Sequence, residues 1–326
     1  MSEVGPPRRR ILVIKLGALG DFIQAVGPMQ AIRAHDRDAH ITCLTTAPFA
    51  ALARATGCFD DVWVDARPRV WNVPGWLRLR ARLRGGDFTR VYDLQTSRRS
   101  SGYFRLMGGL LARPKVEWSG IAKGCSHPHA NPRRDLMHTI ERQAEQLEAA
   151  GIAAVAPADL WFLRADVKHF ALEPPYALLV PGGASHRPEK RWPVSAYGRL
   201  ARLLAGRGVT PVVIGAEAER DAAQAIASAC PSARDLTGAT SLAEVAELAR
   251  GAEAGVGNDT GPMHVIAAVG CPAVVLFSAA SDPALCAPRA GKGGAVTVLR
   301  RLDLSDLTAE EVEGALFGMR GRSGRA

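Results

Sequence analysis

No apolar run in this 326-residue chain approaches the roughly 18 residues that a membrane-crossing helix needs, because glycine, proline or charge breaks each one within a few positions. A helical integral membrane protein is thereby excluded. The six cysteines (Cys43, Cys58, Cys125, Cys230, Cys271 and Cys286) contain no C-x-x-C pair and lie mostly in apolar segments, which favours reduced thiols over a zinc site or a disulfide frame. The opening MSEVGPPRRRILVIK has too short an apolar stretch for a signal peptide and runs directly into a strand pattern. A cytoplasmic location is expected. Aromatic residues are only 6% of the chain and sparse among its arginine runs, so the stacking platform of a nucleic-acid-binding surface is missing despite a pI of about 9.6. Two nucleotide fingerprints are missing as well. Neither G-x-G-x-x-G nor a Walker lysine-serine pair follows the first strand, and the second strand, HITCLTT, ends in Thr45 and Thr46 rather than an acid. This argues against a nicotinamide-dependent oxidoreductase.

What is present is a composition for burial: 47% of residues are hydrophobic and 22% charged, enough in a chain of this length for two cores. Short apolar strings alternate with longer amphipathic ones. ILVIKL, HITCLTT, DVWVDA and RVYDLQT read as strands in the first half, with helices at FIQAVGPMQAIRAH, FAALARATG, GWLRLRARL and HTIERQAEQLEAAG. The second half repeats the rhythm with YALLVPGG, TPVVIGA, AGVGNDTG and PAVVLFS as strands. Its helices are SAYGRLARLLAGRG, AERDAAQAIASAC, SLAEVAELARGA and MHVIAAVG. Alternation of this kind predicts an α/β protein with two doubly wound, mostly parallel sheets. Domains are expected at 1–165 and 176–304, with 166–175 (inside ADVKHFALEPP, with its paired prolines) as linker and 305–326 as a last helix and basic tail. The net charge of +9 is lopsided: residues 1–165 hold 24 Lys and Arg against 15 Asp and Glu, and residues 166–326 hold 17 of each. The arginines of WLRLRARLRGG, SRRSSGYFRL and ANPRRD are either solvated helix faces or a surface for an anionic partner, and the one-sided total favours the partner.

Four strings carry polar residues at the ends of predicted strands, where open parallel sheets bind ligands. KLGALGD (residues 15–21) places Asp21 at the start of the first helix. That carboxylate either caps the helix or faces a ligand. In VGNDTGPMH the loop Asn258, Asp259, Thr260, Gly261 opens a helix at Pro262, whose free N–H groups and the Thr260 hydroxyl suit a phosphate, with His264 in the first turn. PGGASHRPEKRWP presents Lys190 and Arg191 ahead of Trp192, a point charge for a diphosphate. VVIGAEAER sets Glu217 just past a strand, where an acid commonly holds a ribose, and DLTGATSL adds a turn at Thr240 and Ser241 able to meet a base. The D-x-D string Asp36-Arg37-Asp38 precedes its strand, so a metal-bridging role is not expected of it.

In this combination and order the strings resemble the heptosyltransferases, glycosyltransferase family 9 of lipopolysaccharide core assembly, over nearly the whole chain. The resemblance implies a GT-B fold, with the acceptor bound mainly by the first Rossmann-like domain and the nucleotide-sugar by the second, and a last helix, LTAEEVEGALFGM, returning to the first domain. It implies that Asp21 is the general base of an inverting transfer. Lys190 and the Asp259, Thr260, Gly261 loop would hold diphosphate and sugar, His264 would sit beside them, Glu217 would hold the ribose and Ser185 would lie near the phosphates. The donor it implies is ADP-heptose, the acceptor an anionic glycolipid at the inner face of the cytoplasmic membrane, with no metal and no other cofactor. Gly17 and Ala18 stand where some relatives carry serines. The rival reading on the same fold is a sugar-nucleotide epimerase or a non-catalytic sensor.

Overall fold

The computed structural model describes residues 8–108, 116–183 and 187–323, and the chain divides into two compact units at Ala158 and Asp159. In the first unit six strands make one sheet: β1 (Arg10–Ile14), β2 (His40–Thr45), β3 (Asp61–Val64), β4 (Arg90–Asp93), β5 (Glu117–Gly120) and β6 (His127–Pro128). Their order is β3-β2-β1-β4-β5-β6, every neighbouring pair parallel. Ile11, Leu12, Val13 and Ile14 of β1 are all fully buried, as a central strand covered on both faces requires. Helices α1 (Leu19–Gln24), α2 (Val26–His35), α3 (Ala50–Ala55), α4 (Val73–Gly85), α5 (Arg98–Leu106) and α6 (Thr139–Glu148) complete the unit. FIQAVGPMQAIRAH, expected as one helix, breaks at Ala25. Pro28 is the cause: its ring crowds the carbonyl four residues back, at Gln24, and it has no N–H to continue the ladder.

The second unit repeats the plan with β7 (Tyr176–Val180), β8 (Thr210–Val213), β9 (Arg234–Asp235), β10 (Ala254–Asn258), β11 (Ala273–Phe277) and β12 (Val296–Arg300). Its order, β12-β11-β10-β7-β8-β9, is the same topology counted from the other edge, again wholly parallel. The helices are α7 (Val194–Gly206), α8 (Arg220–Ala229), α9 (Leu242–Gly251), α10 (Gly261–Ala268), the single turn α11 (Pro283–Cys286) and α12 (Ala309–Ser323). In each unit strand order reverses beside the first strand, between β1 and β4 and between β7 and β10, and there the loops leaving the strands open a crevice.

Two expectations change. Residues 159–171 belong to the second unit rather than bridging to it: the Arg250 guanidinium on α9 donates to the carbonyls of Leu160 and Leu163, and Arg234 donates to that of Phe170, which is itself buried. The last helix also stays with the second unit. Val312 and Leu316 of α12 join Trp192, Tyr197, Leu200 and Leu204 in one apolar cluster, and the helix packs on α7.

Candidate active site

In the first unit the crevice is floored by a stitched pair of loops. The Leu16 N–H donates to Gln95 Oε1 (2.8 Å), Lys15 Nζ reaches the Leu94 carbonyl (3.3 Å), and the Thr46 hydroxyl donates to the Leu16 carbonyl (2.9 Å). Gly17 has φ +118°, and a Cβ there would stand 2.3 Å from Phe49, whose ring stacks on Phe22. A serine at this position would therefore collide with that stack, which accounts for one of the two departures in the loop. Asp21 is the third residue of α1 and partly exposed. Its Oδ2 accepts the Ala18 N–H at 3.3 Å, half of a capping box. The capping role is real, yet it engages one oxygen at the long end of hydrogen-bond range and leaves the carboxylate partly exposed at the start of α1.

Behind Asp21 lies a buried polar group that sequence reasoning passed over. Asp93, at the end of β4, is fully buried and accepts the N–H groups of Gln95 (3.1 Å) and Thr96 (2.9 Å). Burial pushes its carboxyl up to about 6, against the pull of the Thr96 N–H, the Ser100 hydroxyl, the Gln95 N–H and Lys15. Burial likewise lowers the Lys15 ammonium, which Asp21 and Asp93 help keep charged and Arg142 does not. Arg134 and Arg142 share this field: burial, then the neighbouring Arg142 charge, lowers Arg134, while Asp135 and Asp93 oppose the shift. Arg142 of α6 is thus brought near the lysine of KLGALGD, and Arg134 of ANPRRD near Arg142 and Asp93.

In the second unit the corresponding crevice joins the two strongest strings. Lys190 Nζ lies 2.6 Å from Asp259 Oδ2, which also accepts the Ser281 hydroxyl (2.8 Å); about a tenth of either charged side chain is exposed. Asn258 is the keystone. Its Oδ1 accepts the Trp192 N–H (2.9 Å) and the Tyr197 hydroxyl (3.2 Å), while its Nδ2 donates to the carbonyls of Pro181 and Gly182, so one buried amide fixes PGG, KRWP and GNDTG together. Thr260 is the N-cap of α10 with no side-chain cap bond, leaving its hydroxyl and the Gly261 N–H available to an anion, since Pro262 has no N–H and the Met263 N–H donates to the Thr260 carbonyl (3.1 Å). His264 is buried one turn further on, in the packed part of α10 rather than at its mouth.

Glu217 is held by Arg220, with one N–H···O contact of 2.6 Å, and this hydrogen bond lowers its carboxyl. The TG turn reaches it: Gly238 has φ +74°, and a Cβ there would lie 2.4 Å from Glu217 Oε2. Arg220 also donates to the Thr237 carbonyl (3.1 Å), so the expected ribose and base positions do share one corner. Thr240 beside it is partly buried. Ser241 spends its hydroxyl capping α9, accepting the Glu244 N–H at 3.3 Å. Ser185 lies outside the described residues. Among the described residues no group of three His, Cys, Asp or Glu side chains is placed to hold a metal ion.

The model of glycosyltransferase family 9 (heptosyltransferase) matches residues 76–313. The chain belongs to that family. Among curated proteins it is 32% identical over 126 residues to lipooligosaccharide heptosyltransferase 2 of Haemophilus influenzae, covering 37% of this chain and 35% of that one. It is 26% identical over 290 residues to lipopolysaccharide heptosyltransferase 1 of Pseudomonas aeruginosa, covering 82% and 78%. The chain spans about a third of the length of the first of these relatives. Among solved structures, the glycosyl transferase family 9 protein of Veillonella parvula matches with TM-score 0.78 and 19% identity over 95% of this chain and 97% of that one. The Escherichia coli heptosyltransferase WaaC with ADP matches with TM-score 0.70 and 21% identity over 96% and 99%. The fold class is GT-B, two Rossmann-like domains. In this family 9 chain the site residues given no individual role from sequence are Lys15, Asp93, Arg142, Arg220 and Ser281, while Asn258 is legible only as a loop residue and not as the group that ties three segments together. Only Asp93 carried a signal, an acid closing the apolar strand RVYD; the others are set by contacts between segments far apart in sequence.

Proposed function

We propose that the chain is an inverting glycosyltransferase that moves heptose from ADP-heptose onto an anionic, lipopolysaccharide-core-type acceptor, with Asp21 as general base and no metal. The observation that carries this reading is the split of chemistry between the two strand-order reversals. One presents a partly exposed carboxylate near a buried lysine, and the other presents a lysine and a helix N-terminus. Displacement of a nucleoside diphosphate from C1 of a sugar by a hydroxyl needs a proton acceptor on the nucleophile and positive field on the leaving group. Asp21 takes the proton as the acceptor oxygen attacks. Lys190, the Thr260 hydroxyl and the Gly261 N–H at the positive end of α10 meet the charge that gathers on the departing diphosphate. Lys15, Arg134 and Arg142 favour an acceptor bearing phosphate or acid-sugar groups. Glu217, held by Arg220 beside the TG turn, receives the ribose.

The deciding experiment is turnover of ADP-heptose by Asp21→Asn in EDTA-containing buffer, alongside ADP titration. Asparagine keeps an oxygen for the Ala18 N–H and so can still cap α1. Turnover should fall by roughly 10² to 10⁴, the range for loss of a positioned general base, with ADP affinity and melting temperature nearly unchanged. Wild-type turnover in this variant would return Asp21 to a capping role, and loss of all ADP binding in EDTA would overturn the metal-free donor site.

A further inference from the structure

Among the described residues, five of the eight large apolar side chains that the fold leaves exposed fall in one segment. Val64, Val70, Trp71, Val73 and Leu77 crowd into fourteen consecutive positions of the first unit, and Val70 and Trp71 are 85% and 75% exposed. Single exposed apolar residues are ordinary on protein surfaces, but a contiguous group marks an interaction site. This one is built rather than frayed. Arg99 Nη2 donates to the Pro68 carbonyl (3.3 Å), Trp76 Nε1 donates to the Arg69 carbonyl (3.0 Å), and the Asn72 side chain caps α4 by accepting the Gly75 N–H (2.9 Å). These bonds hold the loop so that Trp71 and Val70 point outward while Leu79 and Leu83, on the opposite side of α4, enter the core.

The charge of the same segment is of one sign. From Ala66 to Gly86 there are six arginines, Arg67, Arg69, Arg78, Arg80, Arg82 and Arg84, and no aspartate or glutamate. All six are exposed. Arg82 lies over the Trp63 ring and Arg84 donates to the Leu106 carbonyl, whereas Arg67, Arg69, Arg78 and Arg80 have no carboxylate partner among the described residues. Along the exposed side of α4 the spacing Val73, Leu77, Arg80, Arg84 puts an apolar N-terminal tip and a basic C-terminal half on one stripe.

We propose that this surface, the 67–71 loop with the outer face of α4, docks on an anionic phospholipid bilayer. An indole and aliphatic tip collared by guanidiniums that lack carboxylate partners, Arg69 lying over the Trp71 ring at 5.6 Å, matches the boundary between headgroups and acyl chains: the tip enters it and the collar lies on the phosphates. Charge complementarity selects this occupant over a second copy of the chain, because a two-fold contact through the same patch would set the arginines of one copy against those of the other. The inference deepens the functional reading above only in being suited to a lipid-borne acceptor, and its test contains no acceptor.

Co-sedimentation of the full chain with vesicles decides it, comparing phosphatidylcholine alone with phosphatidylcholine mixed with phosphatidylglycerol. The chain should sediment with the anionic vesicles, weakly or not with the neutral ones, and should be released as salt rises. Trp71→Ser with Leu77→Ser, and separately Arg78→Glu with Arg80→Glu, should each lower the partition coefficient by about tenfold or more. Both pairs should leave the melting temperature and ADP titration at wild-type values, since all four side chains are exposed and outside the donor site. Failure of the wild type to bind anionic vesicles, or undiminished binding by both variants, would overturn the proposal; so would a concentration-dependent dimer that the Trp71→Ser, Leu77→Ser variant abolishes. Transfer to a delipidated, soluble acceptor reads the transferase reaction separately from membrane docking.

Discussion

Lys190 and Asp259 illustrate how a charge in a binding site is kept in place before its ligand arrives. Each is largely buried, and the 2.6 Å contact means that the lysine's field is offset until a diphosphate competes for it. Removing one partner of such a pair leaves an uncompensated buried charge, at a cost on the order of 3–5 kcal/mol. Lys190→Ala should therefore lose both stability and ADP affinity. The double variant Lys190→Ala, Asp259→Asn should recover most of the stability and none of the affinity, as read by urea unfolding and ADP titration. A single variant of wild-type affinity would remove Lys190 from the donor site. Asp93 makes the opposite case, a carboxylate that folding makes harder to ionise. Its folded value of about 6 stands above the unfolded ~3.9, so the folded chain binds the proton first. The linked stability is complete below about pH 4 and is lost as pH rises through about 6. Two units amount to at most ~3 kcal/mol, and Lys15 shares the change. Asp93→Asn keeps an oxygen for the Gln95 and Thr96 N–H groups. Its melting temperature relative to wild type should rise between about pH 4 and pH 8; a difference that stays flat would mean that Asp93 carries no such penalty.

At the scale of elements, what could be read from sequence tracks how local the cause is. Buried parallel strands announce themselves as unbroken apolar runs, so β1, β2, β4, β7, β8, β10 and β11 were legible. β5, EWSG, and the edge strand β12, VTVLR, were not: the first is four residues with one large apolar side chain, and the second is only partly buried. α5, Arg98–Leu106, read only as an arginine run, because its buried face consists of Ser100, Tyr103 and Phe104 rather than an aliphatic stripe. The second unit begins at Asp159, seven residues before the linker expected from residue 166, for a similar reason. Its paired prolines are a local signal, while the bonds from Arg250 to the carbonyls of Leu160 and Leu163 span about ninety positions in sequence. α12 shows the same limit, since nothing in LTAEEVEGALFGM says which unit receives Val312 and Leu316. The site strings were legible where one loop supplies the chemistry, as at KLGALGD and GNDTGPMH. They were not where a residue from another segment completes it, as Arg142 does near Lys15.

At the scale of the whole molecule, the charge is divided as the labour is proposed to be. The first 165 residues carry the entire positive excess, while the remainder balances at 17 against 17. Much of the excess lies on the 67–71 loop and α4, with no acidic residue between Ala66 and Gly86, and Arg142 lies near Lys15 with Arg134 near Arg142. In the second unit several cations meet carboxylates, Lys190 with Asp259, Arg199 with Glu310, Arg207 with Glu313, Arg220 with Glu217 and Arg250 with Glu247. Attraction between exposed charges is screened over about 10 Å at 0.1 M salt, whereas a diphosphate seated against a buried lysine and a helix N-terminus is screened much less. The two substrates should therefore separate in one titration. With a delipidated anionic acceptor, so that vesicle docking has no part, KM for the acceptor should rise several-fold from low to physiological salt while the ADP dissociation constant changes less. An acceptor KM that stays flat across that range would disconnect the first unit's positive charge from acceptor recognition, and would leave membrane attraction as its remaining use.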